Sequence, residues 1–268
     1  MILDVAVPQF GPHSINAHAS TLAFELTSGR RPVIVNCGSG LVFGRAWHKA
    51  GRGTSSHSTL SIEGKSSSNF VRRIGANTSK VEILTKGPSK VSVALEEGEI
   101  DRALTGRHDG YEKSFGLSHS RHLRITYDGR SVTGEDEVVA LTPKSRKIYD
   151  RNRKSISGGS PAPFAIRFHL HPDVEVHSDR NRIILTLKSG ELWSFSARGA
   201  ESLSIEPSIY LEKGRLEPRE SQQILLTGHV VDYSARISWE FSKSADTPDG
   251  LRDLGGLEVA ENADDLEL

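Results

Sequence analysis

The chain has 268 residues, 36% hydrophobic and 25% charged, and its 34 basic and 34 acidic side chains cancel to a formal net charge of zero. A chain of this length buries roughly 70–75% of its unfolded surface, fits one large β domain or two small ones, and with Cys37 as its one cysteine neither needs nor can form an internal disulfide. The charge balance excludes a nucleic-acid or anionic-membrane footprint spread over the whole chain, and no apolar run reaches the ~18 residues of a membrane-spanning helix.

Period-two alternation dominates along the chain. Residues 21–26 read as a strand, Ser28-Gly29 as a turn, and residues 33–35 as the hairpin partner. A helical turn is expected near 44–50, followed by a loop over 51–58, a strand over 58–62 and a second loop over 64–69. Further strands are expected at 80–84, 90–95, 121–127, 165–170, 183–187, 192–197, 202–206, 223–230 and 235–241. Asp128-Gly129, Ser189-Gly190 and Lys213-Gly214 mark turns between them. Residues 142–162 read as a long basic loop with Lys144, Arg146, Lys147, Arg151, Arg153 and Lys154. This spacing of short strands predicts an all-β fold, a large antiparallel two-sheet sandwich with little helix, over residues 1–243. The tail, 244–268, holds eight acidic residues and one basic one, and its low hydrophobicity predicts disorder. Without it the body carries a charge of about +7, read first as charge scattered over the surface and alternatively as a face suited to an acidic ligand such as an acidic sugar polymer. The N-terminus, Met-Ile-Leu-Asp-Val-Ala-Val, lacks the positive and apolar regions of a signal peptide.

Three groups of residues carry candidate chemistry. In an extended chain Asn16, His18 and Ser20 share one face, and Asn36 and His57 follow at the ends of neighbouring strands. Two imidazoles with a polar third residue read either as a zinc site or as hydrogen-bonded histidines at strand ends; Asn is a poor zinc ligand because its amide oxygen is neutral. His169 and His171 form a second pair, read as the polar face of an exposed strand more readily than as a metal pair. His108 and Tyr111 lie in a turn-rich segment where Tyr could serve acid–base chemistry on a sugar or be buried for structure. No nucleophile elbow, phosphate loop or dinucleotide-binding glycine pattern is present. Cys37 lacks a thiolate-activating context and is expected to be buried.

The order of these residues carries a resemblance. The runs 17–26, 33–38 and 56–60, then His108-Asp109-Gly110-Tyr111, Ser118-His119-Ser120-Arg121, Gly134-Glu135-Asp136 and the stretch from Arg167 to Asp173, resemble the C-terminal domain of heparinase II/III-type polysaccharide lyases. The resemblance runs from about Asp4 to Phe241. It implies a β-sandwich that in family members follows an N-terminal α/α toroid. It also implies β-elimination of uronic-acid polysaccharides such as glycosaminoglycan or alginate, in which a base removes the C5 proton of the uronate and a 4,5-unsaturated sugar forms. Most catalytic side chains come from the toroid, while the sandwich supplies a catalytic His and often a zinc site.

The match is uneven. Asn16 stands where the resemblance puts the catalytic His. His18 and His57 keep two zinc-ligand positions, and Asn36 replaces the Asp of the third, which weakens the expectation of zinc. His108 and Tyr111 are carried as weak substrate contacts. Met1 falls within the sandwich, so the chain is expected to be a fragment, half of a split gene or a remnant, inactive unless a separate toroid domain or chain joins it. The expected partners are an acidic polysaccharide and that toroid, without nucleic acid or membrane. The competing expectation is a non-catalytic module that holds an acidic glycan through the positive body and the 142–162 loop. The family usually works in the cell envelope, but this sequence shows no export signal.

Overall fold

Alternating apolar and polar residues pair the chain into antiparallel sheets throughout. The structure, a computed structural model, describes residues 1–74, 80–156, 159–180 and 182–246. In chain order the strands are β1 (Ile2–Leu3), β2 (Phe24–Ser28), β3 (Arg31–Val35), β4 (Leu60–Ile62), β5 (Asn69–Ile74), β6 (Lys80–Lys86), β7 (Val91–Glu97), β8 (Asp101–His108) and β9 (Ser118–Thr126). They continue as β10 (Ser131–Val139), β11 (Ala162–Leu170), β12 (Val174–Asp179), β13 (Arg182–Leu187), β14 (Leu192–Arg198), β15 (Ser202–Tyr210), β16 (Arg219–Val230) and β17 (Ser234–Ala245). The α-helices are α1 (Arg45–Gly51), α2 (Glu112–Phe115) and α3 (Pro143–Ile156). Among the described residues, no helix is long and apolar enough to cross a membrane.

One sheet has seven strands in the order β1-β2-β3-β11-β16-β15, with β4 also pairing with β11. The other has eight, β12-β13-β14-β17-β10-β9-β8-β7, and β5 and β6 form a separate hairpin. The expected all-β antiparallel sandwich is therefore the observed fold. Its centre is aromatic. Phe24 of β2 stacks on Trp239 of β17 at 5.5 Å between ring centroids, and Phe168 of β11 meets Trp239, Phe195 and Phe241 edge-on or tilted at 4.8, 5.2 and 5.4 Å. These contacts join the two sheets, and each such pair adds about 0.5–1.5 kcal/mol beyond its buried area. Gly134 of β10 lies under the Trp239 indole, and any Cβ there would overlap the ring.

Two expectations fail on local grounds. The basic segment 142–162 is not a loop: most of it is α3. Thr142 accepts from the Ser145 amide at 3.0 Å, and Pro143 takes the first helical position, where its missing N–H costs nothing. Residues 21–26 do not form a strand throughout, because Thr21 and Leu22 make a turn with Leu22 at φ 63° before β2 begins. The sandwich also runs past residue 243, since β17 continues to Ala245. Asp246 follows it, paired with Arg130 at 2.8 Å. The rest of the expected acidic tail, from 247 on, lies outside the described residues.

Candidate functional site

Residues 14–19 precede β2 and do not run extended. A 3-10 helix, Pro12–Ser14, leads into a turn at Ile15 and Asn16, so strand alternation does not apply to Asn16, His18 and Ser20. Arg52, buried just after α1, pins this segment instead. Its Nε donates to Ala17 O at 2.8 Å, one Nη to Ser14 O at 2.7 Å and the other to Glu82 O at 3.0 Å. Thr54 Oγ1 adds a bond to Ala19 O at 2.7 Å. Ser20 turns away to Asp4, with 2.5 Å between Oγ and Oδ2, and Asn16 is exposed.

This scaffold brings His18 and His57 together, as the sequence predicts. Their Nδ1 and Nε2 atoms are 2.9 Å apart, and the rings meet edge-to-face at 82°. His57 Nδ1 lies 2.7 Å from Gly53 O, so that nitrogen carries the proton, and His18 Nδ1–H donates to His57 Nε2. Burial lowers the His57 pKa to about 3, helped by the neighbouring His18. Burial, then Arg52 and His48, lowers that of His18 to about 4. Both rings are neutral at neutral pH.

Asn36 completes no metal site with them. Its Oδ1 accepts from the Ser58 amide at 2.9 Å and its Nδ2 donates to Glu25 at 2.9 Å, which ties the end of β3 to the chain entering β4. Among the described residues no three His, Cys, Asp or Glu side chains form a group that could hold a metal ion. Two neutral imidazoles and an engaged neutral amide do not fit zinc, which in proteins takes four donors and here would lack any anionic one.

His108 and Tyr111 lie inside the sandwich, 2% and 1% exposed, and neither offers a surface to a substrate. The Tyr111 hydroxyl donates to Leu60 O at 3.1 Å, and burial raises its pKa. His108, expected to touch substrate, instead belongs to a buried chain with His119 and Asp136. The Gly110 amide donates to His108 Nδ1 at 3.1 Å, His108 Nε2 faces His119 Nδ1 at 3.2 Å, and His119 Nε2 meets Asp136 Oδ1 at 2.7 Å. Each proton has one consistent place, so both imidazoles are neutral donors along the chain. Arg121 grips the same carboxylate through Nε at 2.8 Å and Nη2 at 3.0 Å, and Trp239 Nε1 adds a fourth donor at 2.9 Å. Those donors hold the Asp136 carboxyl well below its usual pKa despite its burial. Arg121 also donates to Leu22 O and Ser58 O, both at 2.8 Å. It thereby links the eight-stranded sheet to the turn before β2 and the entry to β4. Cross-strand register assembles the group: His108 pairs with His119, and Arg121 with Asp136. Inward-pointing polar residues two apart on one strand, His119 and Arg121, were the signal that could have found it.

His169 and His171 do not form the polar face of an exposed strand. β11 is central in its sheet, and the two residues are 3% and 8% exposed. His169 bridges Ser208 Oγ at 2.8 Å and Ser55 O at 3.0 Å. His171 lies against Tyr210 and lines a cavity of about 230 Å³ with Arg30, Arg31, Asp173 and Lys188. Cys37 is buried as expected, and burial pushes its thiol up to about 11, too high for a nucleophile at neutral pH.

Residues 1–240 match the family described as heparinase II/III-like, C-terminal. FtsZ-localized protein C of Caulobacter vibrioides (strain NA1000 / CB15N) is 28% identical over 249 residues, covering 91% of this chain and 40% of that protein. The fold is similar to the heparan sulfate lyase HepC of Pedobacter heparinus, with a TM-score of 0.64, 16% identity, and coverage of 92% of this chain and 33% of that one. A heparinase III crystal structure gives a TM-score of 0.59 at 15% identity, over 86% of this chain and 31% of that one. The chain thus spans about a third to two fifths of the length of these proteins.

Proposed function

Since this chain belongs to the heparinase II/III-like C-terminal family, we propose that it is the sandwich part of an acidic-polysaccharide lyase system, holding polysaccharide but not cleaving it without a toroid partner. One observation carries this reading. At the exposed turn where a family member would present its catalytic imidazole, this chain presents Asn16, whose amide has no basic lone pair. The nearby His18–His57 pair does not replace it. A general base works best with a pKa near the working pH, and His18, lowered to about 4, is far too weak to remove a C5 proton. The buried His108–His119 pair is sealed from substrate.

The experiment is a turnover assay on the purified chain. Incubation with heparan sulfate, hyaluronan or alginate is expected to give no rise in the ultraviolet absorbance of a 4,5-unsaturated uronate. A steady rise, abolished by His18→Ala, would overturn the non-catalytic part of the reading.

A further inference from the structure

Across its 14 residues α3 carries six cations, Lys144, Arg146, Lys147, Arg151, Arg153 and Lys154, against one acid, Asp150. Its inner face is anchored. Tyr149 is buried, donates its hydroxyl to Val230 O at 2.6 Å and meets the Tyr233 ring edge-on. Ser145 is also buried, and Gly116 packs so closely beneath it that a Cβ there would overlap the Ser145 carbonyl. The opposite face is a stripe. Lys144, Lys147, Arg151 and Lys154 are three, four and three residues apart, the spacing that aligns side chains along one side of a helix. All four are exposed, and at ~1.5 Å per residue they extend over roughly 15 Å.

Among the described residues no carboxylate pairs with this stripe. Among the described residues none of the six cations makes an ion pair, and Asp150 instead receives the Tyr233 hydroxyl. Four arginines elsewhere on the surface are paired: Arg102 with Glu97, Arg124 with Asp101, Arg130 with Asp246 and Arg236 with Glu137. Like charges at this spacing destabilise a helix by a few tenths of a kcal/mol per pair, so the stripe works against the fold that carries it.

We propose that the outer face of α3 is the seat of the acidic polysaccharide, its four cations lying along a run of carboxylate or sulfate groups. The proposal rests on the polysaccharide-holding reading above and adds the place of contact. Charge complementarity selects a linear polyanion. A single-stranded nucleic acid would call for exposed rings on which bases stack, and the one ring of α3, Tyr149, is sealed inside. A lipid surface would call for an exposed apolar face beside the cations, and the outer face of α3 is formed by cations while Ser145 and Tyr149 pack on the sandwich.

The test is binding of the full chain to heparan sulfate at several salt concentrations, compared with K144Q/K147Q/R151Q/K154Q. A control of equal net charge is R102Q/R124Q/R130Q/R236Q, in which the lost cations are ion-paired. The unmodified chain is expected to bind, more weakly as salt rises. The α3 variant is expected to bind roughly ten- to a hundredfold more weakly with an unchanged unfolding midpoint, and the control to bind as the unmodified chain does. Should the fourfold variant unfold, Arg151→Gln alone, expected to weaken binding about two- to fivefold, decides the matter. Equal binding by the α3 variant and the unmodified chain overturns the α3 seat and leaves the polysaccharide reading standing. Absence of polysaccharide binding by the unmodified chain overturns both. Tighter binding of a single-stranded oligonucleotide or of anionic phospholipid vesicles than of heparan sulfate overturns the choice of occupant.

Discussion

The molecule contains two histidine pairs of nearly the same geometry and opposite character. In both, one imidazole nitrogen faces another and the rings meet edge-to-face, at 5.1 Å and 82° for His18–His57 and at 5.2 Å and 89° for His108–His119. The inner pair ends on a carboxylate with four donors and a neutralising arginine. The outer pair ends on a backbone carbonyl, and its loop is held by Arg52 through three carbonyls. The same two-imidazole contact is therefore a structural joint where a charge anchors it inside the sandwich. Where no anion joins it, the contact only ties a buried His57 to a partly buried His18 at the edge of a loop. The pair is not itself the signature of a site; what terminates it decides its role.

The sharpest way to break this comparison is to remove the anchor. Asp136→Ala leaves the Arg121 charge buried without a counter-ion, and loss of one partner of a buried pair costs about 3–5 kcal/mol. Urea unfolding should show that loss, and a change below ~1 kcal/mol would mean that the inner pair is not a joint. Arg52→Ala frees the outer loop from three hydrogen bonds at the cost of about 1–3 kcal/mol. Amide exchange at residues 14–19 should accelerate with it, while exchange in β9 and β10 stays slow.

A pH series tests both pairs at once, since burial lowers the pKa values of His108 and His119 as well. The His18 and His57 pKa values are lowered to about 4 and about 3 from 6.5. Between pH 6.5 and 4 the unfolded chain therefore binds protons that the folded chain does not, and stability falls as pH falls. His57→Gln should flatten part of that slope and cost about 1 kcal/mol at neutral pH. The Asp136 carboxyl is shifted in the same direction but acts in a lower range, because it is lowered from 3.8. Its stabilisation is complete above that value and is lost only as pH falls below it, a phase that His57→Gln should leave in place. The smallest effect concerns metal. Added zinc should leave the unfolding midpoint of the unmodified chain where a chelator leaves it, and a rise of several degrees would show that the outer pair holds an ion after all.

Much of the sandwich was legible because strands such as β11, β13, β14 and β16 bury every second side chain. Five strands escaped, β1, β5, β8, β10 and β12, and in β8 and β10 the reason is that inward positions are not apolar. β8 turns Gly106 and His108 inward, and β10 turns Gly134 and Asp136 inward between Val132 and Val138. The polar network and the room that Leu22 and Trp239 require erased the hydrophobic alternation there. Helix α3 escaped for a related reason. Its inner face is carried by Ser145 and Tyr149 rather than by an apolar stripe, although Thr142-Pro143 announces its start.

At the candidate site, sequence spacing put His18 and His57 on neighbouring segments, and the family resemblance led to the expectation of an imidazole where Asn16 stands. The sequence by itself thus determined the sheet-forming periodicity, the family and the absence of a basic side chain at position 16, because these depend on residue identity and order. Only the tertiary structure decided that Asn36 serves Glu25 and Ser58, that His108 and Tyr111 face inward, and that the basic segment is a helix with an unpaired cationic face. Those outcomes depend on which groups, distant along the chain, compete for the same hydrogen bonds and the same interior volume, and no local pattern encodes that competition.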